Sequence, residues 1–443
     1  MKNTGIKVWV LTGDKIETAM NIGVSAGLLD SSMGEHIIED TQSFQLAETL
    51  HKIAEDIKNA KRTGIKQAII VAGASLIAID ANSKLRETFL TASDHADVVL
   101  ACRVSPKQKA DIVNMIKQRF PNKVTLAIGD GANDVNMILQ AHVGVGILGK
   151  EGQQAARSAD YAIGQFKFLK PLMFIHGREA YRRNSMLVAY TFYKNVLYVM
   201  PQYYFGFNSA FSGQTLYEAF IYQLYNITMT SLPIMYYALF DFQYFKPTFM
   251  QNPLLYKIGM NYSCFSMAIF SRWLILALFH GMVIYLVCMI ALIDTSVVQS
   301  DGKNVGFWVA GHASYGSAVI IANLVILHKF NNFTKYGEAL IGLMIFAFFF
   351  FMGVESAMGI SVLSHIFGTM FSMYKVWIGL AICGSVASSM ELAMRAWSKL
   401  ISSNEKFIFN PPEDTNSAKS NVINETETSG QKDSFKMKDV TPD

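Results

Sequence analysis

Cysteine is scarce in this sequence: Cys102, Cys264, Cys288 and Cys383 are the only four in 443 residues, far apart and without a CxxC spacing. That pattern excludes a disulfide framework and a thiolate zinc site, and reads as packed thiols of a reducing compartment. Charge is also sparse, 16% of residues with a net of +4. No basic stretch is interleaved with aromatics, which excludes a nucleic-acid surface. The opening MKNTGIKVWVLTGDK lacks a charged leader followed by an apolar core. No cleavable signal is expected, and the first membrane helix is expected to direct insertion. What is plentiful is apolar surface: 51% of residues are hydrophobic and 12% aromatic, with charge concentrated before residue 185 and after residue 394. That asymmetry predicts a soluble part and a membrane part.

The soluble part alternates strand and helix. Residues 5–12 form a β-rich run ending in TGDK, and KIETAMNIGVSAGLL follows with apolar residues at helical spacing. The unit recurs in QAIIVAGASL (67–76), in ADVVLACRV (96–104) feeding SPKQKADIVNMIKQR, in VTLAIGD (124–130) feeding NDVNMILQA, and in VGVGIL (143–148). Runs that are apolar throughout and separated by helices predict an α/β fold with a parallel sheet covered on both faces. Residues 30–65 are polar, hold an amphipathic helix in FQLAETLHKIAEDIKNAK, and are expected to form a surface insertion without chemistry.

Ligands of such sheets bind beyond the carboxyl ends of the strands, where the unusual residues fall. Asp130 ends one strand and Asp134 follows about one helical turn later, so both carboxylates can face one oxygen-liganded cation. Magnesium suits them, because it takes few protein carboxylates and completes its shell with water and phosphate. Gly129 and Gly131 clear space for close backbone approach, and Asn133 is placed to donate to a phosphate or to orient Asp134. An Asx-rich turn capping a helix has the same letters, and Thr12–Asp14 also fits a plain N-cap. Arg103 at a strand end, with Lys107 and Lys109 in the next helical turn, puts cations where a helix start prefers negative charge. An anion accounts for that, as do solvated lysines on an exposed face. Together the three clusters describe a phosphoryl-transfer site that works by positioning and charge neutralisation.

KVWVLTGDK, CRVSPKQKADIV and AIGDGANDVNMI resemble, in order and spacing, the hinge and phosphorylation-domain motifs of P-type ATPases of the haloacid-dehalogenase superfamily. GVGILGKEGQQAARSADYAIGQFKFLKPLMFIHGREAYRR, then YTFYKN, ALFDF and NPLLYKIG, resembles the phospholipid-flippase class, over about residues 5–395. The resemblance implies a partial haloacid-dehalogenase-like Rossmannoid domain over 1–170 and a cytosolic linker at 171–186. An all-α six-helix transmembrane region would fill 187–395, before a disordered cytosolic tail at 396–443. It implies nucleotide contacts, with ATP as substrate, from Thr12, Gly13, Asp14, Arg103, Lys109, Asn133 and Asp134, and Mg2+ on Asp130 and Asp134. Lys109, Asp130 and Asp134 would be catalytic, Lys109 neutralising the phosphoryl group in flight. In this family the phosphorylated aspartate lies in a DKTG motif well before TGDK, and no DKTG occurs in this sequence. The nucleophile is therefore expected upstream of these residues, with the actuator and adenine-binding domains and four more membrane helices. The chain alone is expected not to turn over.

Six apolar segments are expected to span, at roughly 187–210, 216–239, 267–292, 305–327, 339–359 and 368–392. The 240–266 and 328–336 connections carry Lys246, Lys257, Lys329 and Lys335, with Arg272 nearby, whereas 293–304 carries only Lys303 and the others no Lys or Arg. With the soluble domain and tail cytosolic, that distribution obeys the positive-inside rule. Lys194 falls deep inside the first span, where a charge is costly and signals function or pairing. The resemblance places Lys194 and Asn195 on the helix coupling phosphorylation to the lipid path, and Asn226 and Pro233 at positions expected of the superfamily. Where cation pumps carry a carboxylate this chain has Thr230, which argues against an ion pump. His280 and Asn323 are expected to satisfy neighbouring helices, and Glu218, Glu355 and Lys375 to sit at segment ends near the interface. Asn424, in NET, matches a glycosylation sequon that a cytosolic tail would not use.

The expected function is the C-terminal part of an ATP-driven phospholipid flippase, moving phospholipid toward the cytosolic leaflet through an aspartyl phosphate. Its expected partners are phospholipid, the bilayer and, by resemblance, a two-span glycosylated accessory subunit. A cation-transporting relative and a non-catalytic membrane scaffold or regulator are the alternatives.

Overall fold

The computed structural model describes residues 4–149, 152–292, 306–332, 334–358 and 366–404. It divides into two compact units. One holds the residues up to Ala189 with Ala238–Arg272, the other Tyr190–Tyr237 with the residues from Trp273 on.

The first unit runs β1 (Val8–Leu11), α1 (Ile16–Ser25), β2 (Gly34–Ile38), α2 (Ser43–Thr63), β3 (Gln67–Ala72), α3 (Gly73–Ala81), α4 (Ser83–His95), β4 (Val98–Cys102), α5 (Pro106–Arg119), β5 (Leu126–Gly129), α6 (Val135–Gln140), β6 (Val143–Ile147), α7 (Gln154–Ser158) and β7 (Tyr161–Ile163). Every pairing is parallel, as the apolar runs predict. The strands form two sheets, however, ordered β1-β4-β3-β2 and β5-β6-β7. Alternate residues of β3 and β4 enter opposite cores: Ile69, Val71, Val99 and Ala101 one, Ala68, Ile70, Val98 and Leu100 the other.

Residues 30–65 are not a surface insertion. They supply β2, in register with β3 from Gly34 opposite Gln67 to Ile38 opposite Val71. They also supply α2, whose Leu46, Leu50, Ile53 and Ile57 recur at helical spacing and are buried. β1 lies at one edge of the first sheet and β5 at one edge of the second. Although β1 reads VWVL it is only half-buried along its length, and Leu11 at its end packs against Val113, Ala127 and Met137.

Beyond β7 a turn, α8 (Leu169–Pro171), and a π-helical stretch lead into α9 (Arg178–Asn208). The chain continues through α10 (Ala219–Leu224), α11 (Ser231–Phe240), α12 (Lys246–Gln251), α13 (Lys257–Met260), α14 (Met267–Ile284), α15 (Phe307–Lys329), α16 (Lys335–Ala357), α17 (Ile366–Ser372) and α18 (Tyr374–Asn404). Among the described residues four helices are long and apolar enough to cross a membrane: Met267–Ala291, Phe307–Lys329, Lys335–Ala357 and Tyr374–Trp397. They match the last four expected segments. The first expected segment lies largely in α9 and holds five tyrosines, Lys194 and Asn195, which lower its apolarity. The second is broken into α10, a π-helical turn at Tyr225–Met229, and α11.

Pro233 explains that break. It cannot donate to the carbonyl of Met229, four residues back, and its ring crowds that carbonyl. Met229 O accepts instead from Asn323 Nδ2 of α15 at 3.0 Å, and Ile221 O accepts from Tyr315 OH at 2.6 Å. Freed backbone is tolerable in a bundle only when neighbours satisfy it in this way. α15 is the central helix, 89% of its apolar stretch being buried against 28% for α16. Its Gly311, Ala313, Ser314, Gly316, Ser317 and Ala318 let neighbours approach closely. α18 stays helical to Asn404, past the expected start of the tail at 396. The rest of that tail, with Asn424, and the 293–304 connection lie outside the described residues.

Candidate functional site

The expected site residues gather at the carboxyl ends of β1, β4 and β5. Thr12 continues the ladder beyond β1, its N–H donating to Ala101 O at 2.9 Å. Its hydroxyl donates to Asp14 Oδ2 at 2.8 Å and accepts from the Asp14 N–H at 3.1 Å, closing a tight turn around Gly13. Two backbone bonds tie this turn to the loop after β4: Arg103 N–H to Asp14 O at 3.0 Å and Val104 N–H to Thr12 O at 3.1 Å. Arg103 adopts φ +54°, a left-handed conformation that costs an ordinary side chain about 1 kcal/mol or more. Its side chain is exposed.

The N-terminus of α5 is set by a capping box. Ser105 Oγ accepts from Gln108 N at 3.4 Å, Gln108 Oε1 accepts from Ser105 N at 2.8 Å, and Pro106 opens the helix. Lys109, on the next residue, then reaches Asp134: Nζ lies 2.8 Å from Oδ1, and both side chains are 13% exposed. The ammonium expected to face an anion is thus held by one of the two aspartates. Lys107 is exposed.

Asp134 closes a short turn, its N–H donating to Gly131 O at 3.1 Å. Gly129 makes room for it, because a Cβ there would fall 2.7 Å from Asp134 Cγ. Asp130 and Asn133 are exposed beside it. The donor set fits a hard cation. It is all oxygen, Asp134 Oδ2 accepts no hydrogen bond among the described residues, and no cluster of three or more His, Cys, Asp or Glu offers a denser cage there. Among the described residues no hydrogen bond or ion pair joins the Thr12–Asp14 turn to Asp130, Asn133 or Asp134. Packing of Leu11 on the Ala127–Met137 cluster is what lies between them. Cys102, at the end of β4, is no candidate nucleophile: burial, and then the Asp14 charge, push its thiol up.

In the second unit Lys194 is buried, and its ammonium donates to Thr230 Oγ1 at 2.9 Å. Thr230 Oγ1 donates in turn to Tyr225 O at 2.7 Å, and Tyr225 OH donates to Lys194 O at 3.0 Å. This closed ring ties α9 to the π-turn. Asn195 is half-buried and Asn226 exposed, so neither joins the ring. His280 meets Tyr193 OH at 2.6 Å, and Asn323 bonds Met229 O, as expected of groups that satisfy neighbouring helices. Glu218 caps α10 through the amides of Phe220 and Ile221. Glu355 departs from its expected interfacial place: it is 2% exposed, on His312.

Charge pairing at the start of α9 went unread in the sequence. Arg178 pairs with Glu179, and its Nη2 donates to Gln243 Oε1 at 2.7 Å. Arg182 bridges Glu179 Oε2 and Asp241 Oδ2, each at 2.8 Å. The residues stand in REAYRR and ALFDF, but neither stretch alone shows which arginine meets which carboxylate.

A family model described as the C-terminal region of phospholipid-translocating P-type ATPases matches residues 156–404, more than half of the chain. Phospholipid-transporting ATPase C887.12 of Schizosaccharomyces pombe is 36% identical over 415 residues, which cover 90% of this chain and 32% of the relative. Phospholipid-transporting ATPase DRS2 of Saccharomyces cerevisiae is 39% identical over 356 residues, 79% of this chain and 26% of the relative. The human phospholipid-transporting ATPase IH is 38% identical over 332 residues, 70% of this chain and 29% of the relative. The chain thus spans between about a quarter and a third of the length of these curated relatives. With four helices fit to cross a bilayer, it is an integral membrane protein. The chain belongs to the phospholipid-translocating P-type ATPase family, whose C-terminal portion it carries.

Proposed function

We propose that this chain supplies half of the phosphorylation site and the rear part of the membrane pathway of an ATP-driven phospholipid flippase that works through an aspartyl phosphate. The observation that carries this reading is the Lys109–Asp134 pair beside Asp130 at the end of β5. Support also comes from the strand edges. β1 and β5 each lack a partner on one side among the described residues, and their carboxyl ends carry Thr12–Asp14 and Asp130. An apolar strand left half-buried is a liability unless another strand covers it. A further parallel strand seated along these edges, in a haloacid-dehalogenase-like arrangement, would bring the nucleophilic aspartate of a DKTG motif between the two clusters.

In that site Asp130 and Asp134 would hold Mg2+, which when bound supplies charge neutralisation for phosphate oxygens. Lys109 holds Asp134 in place and brings its ammonium to the edge where a transferred phosphoryl group would pass. The Thr12–Asp14 turn, pinned by Arg103 and Val104, offers a hydroxyl and a carboxylate to ATP, and Asn133 an exposed amide. Without DKTG the 443 residues alone do not turn over. Six spans, with soluble part and tail cytosolic, direct phospholipid toward the cytosolic leaflet, and the two-span glycosylated accessory subunit belongs to the same proposal.

Reconstitution in liposomes with a fluorescent phospholipid tests it. The chain joined to an upstream segment bearing DKTG is expected to move lipid with ATP and Mg2+, and Asp130→Asn to abolish the movement. ATP-driven lipid movement by the 443-residue chain alone would refute the half-site. ATP-driven cation uptake in place of lipid movement would refute the flippase assignment.

A further inference from the structure

The second unit holds a buried acid and base that the proposed function does not use, His312 on α15 and Glu355 on α16. Their side chains are 1% and 2% exposed, and both helices are among those able to span a membrane. His312 Nε2 lies 3.0 Å from Glu355 Oε2, and its Nδ1 lies 2.7 Å from Trp308 O, one turn back. A peptide carbonyl only accepts, so Nδ1 carries a hydrogen. Nε2 then either accepts from a carboxylic acid or donates to a carboxylate. In both arrangements a single proton lies between Nε2 and Oε2.

Glu355 Oε1 decides between them. It is buried and has no hydrogen-bond partner among the described residues. In a carboxylate that oxygen would carry about half a negative charge with no donor, in surroundings where even neutral polar atoms are costly to leave unpaired. In a carboxylic acid it is a carbonyl oxygen, and the penalty is much smaller. Among the described residues no second ion pair shares the load. Tyr315, within electrostatic reach of Glu355, commits its hydroxyl to Ile221 O. Tyr225 on the π-turn, Cys288 beyond α14 and Lys375 on α18 belong to elements packed against α15 or α16, and among the described residues none bonds to His312 or Glu355.

We propose that α15 and α16 form a proton-binding site, in which one proton resides on Glu355 Oε2 and is donated to His312 Nε2, leaving both side chains uncharged. The ligand is the proton itself, and its location has a mechanical consequence. α16 can part from α15 without stranding a charge in hydrocarbon, because the proton leaves with the glutamic acid.

Difference infrared spectroscopy of the full chain in lipid nanodiscs at pH 7 tests this, comparing wild type with Glu355→Gln and His312→Ala before and after exchange into D2O. The carbonyl stretch of one protonated carboxyl is expected in wild type, missing in Glu355→Gln, and displaced in His312→Ala, where its acceptor is gone. Glu355→Gln is also expected to unfold within about 2 °C of wild type, because the amide N–H donates to Nε2 in place of the acid. Loss of carboxylate bands instead of the protonated-carboxyl band overturns the proposal. A Glu355→Gln chain that fails to fold overturns it too, since only an imidazolium would be stranded by a neutral partner.

Discussion

Asp241→Ala tests whether the charge cluster at the start of α9 is a structural tie. Arg178, Glu179, Arg182 and Asp241 have side chains 1%, 7%, 10% and 0% exposed. They balance two charges of each sign. Removing Asp241 leaves one excess positive charge among buried groups. Burial already holds the Arg178 guanidinium below its usual range, with Glu179 opposing that shift and Arg182 adding to it. Breaking a buried pair from one side costs about 3–5 kcal/mol. Arg182 keeps Glu179 Oε2 at 2.8 Å and the residue-241 carbonyl at 3.2 Å, so the lower end applies, about 3 kcal/mol. At about 2–4 °C per kcal/mol for a unit of this size, the midpoint falls by about 6–12 °C. Because two units need not melt together, the readout is proteolytic cleavage within the first unit as temperature rises, in the detergent-solubilised chain. Adding Arg182→Met to Asp241→Ala restores charge balance and is expected to recover more than half of the loss. An Asp241→Ala chain within about 2 °C of wild type, or a double variant less stable than the single one, would refute the reasoning.

Gly129→Ala pushes a methyl group onto Asp134 Cγ. It should cost about 1–3 kcal/mol of overpacking and weaken Mn2+ binding as followed by electron paramagnetic resonance, whereas unchanged binding would mean Asp134 is not a ligand. Lys194→Met removes a buried cation whose hydrogen-bond partner is a hydroxyl, so the midpoint should rise while lipid transport by the DKTG-bearing protein is lost; a lower midpoint would show that the ammonium stabilises the fold. Cys102, whose thiol is pushed up by burial and Asp14, should resist maleimide at pH 8 until the first unit unfolds. Its contribution to stability is complete below the ordinary thiol range and declines as pH rises through that range toward the folded value, so more labelling of the native protein at pH 8 than of unfolded chain would contradict the placement.

What was legible in the sequence depended on how far apart the interacting residues lie. β3 and β4 were read correctly because QAIIVA and VVLAC are buried on both faces and need no polar alternation. The helix α2 was read from its apolar stripe, but β2 and the place of both in the core were missed, because the polar face of α2 outweighs that stripe in composition. The division into two sheets had no local signal, since neighbours in a parallel sheet are chosen by packing between distant segments. At the site both Lys109 and Asp134 were singled out, but their pairing depends on how α5 lies over β5. Glu355 was judged by its distance from a segment end. Its actual setting is decided by His312, on a different helix.

The Lys194 ammonium also bears on which ions the broken helix could hold. The carbonyls opened around Tyr225–Thr230 are the kind of ligands a metal ion would seek in a membrane. Here they are already taken: Tyr225 O by Thr230, Met229 O by Asn323 and Ile221 O by Tyr315. The Lys194 ammonium sits on Thr230 itself, where it repels a second positive charge instead of competing for one. A calcium or sodium site at this break would therefore have to expel three side-chain donors and tolerate an ammonium beside it. An anionic or zwitterionic headgroup meets no such barrier, because its phosphate is attracted by the charge that a cation would oppose. Exchanging Thr230 for aspartate reverses that sign. Thr230→Asp is expected to pair with Lys194, stabilise the break, and suppress phospholipid-stimulated ATP hydrolysis in the DKTG-bearing protein without conferring cation stimulation, since the new carboxylate is consumed by the lysine. Retained lipid stimulation in that variant would show that the Lys194 charge has no part in the lipid path.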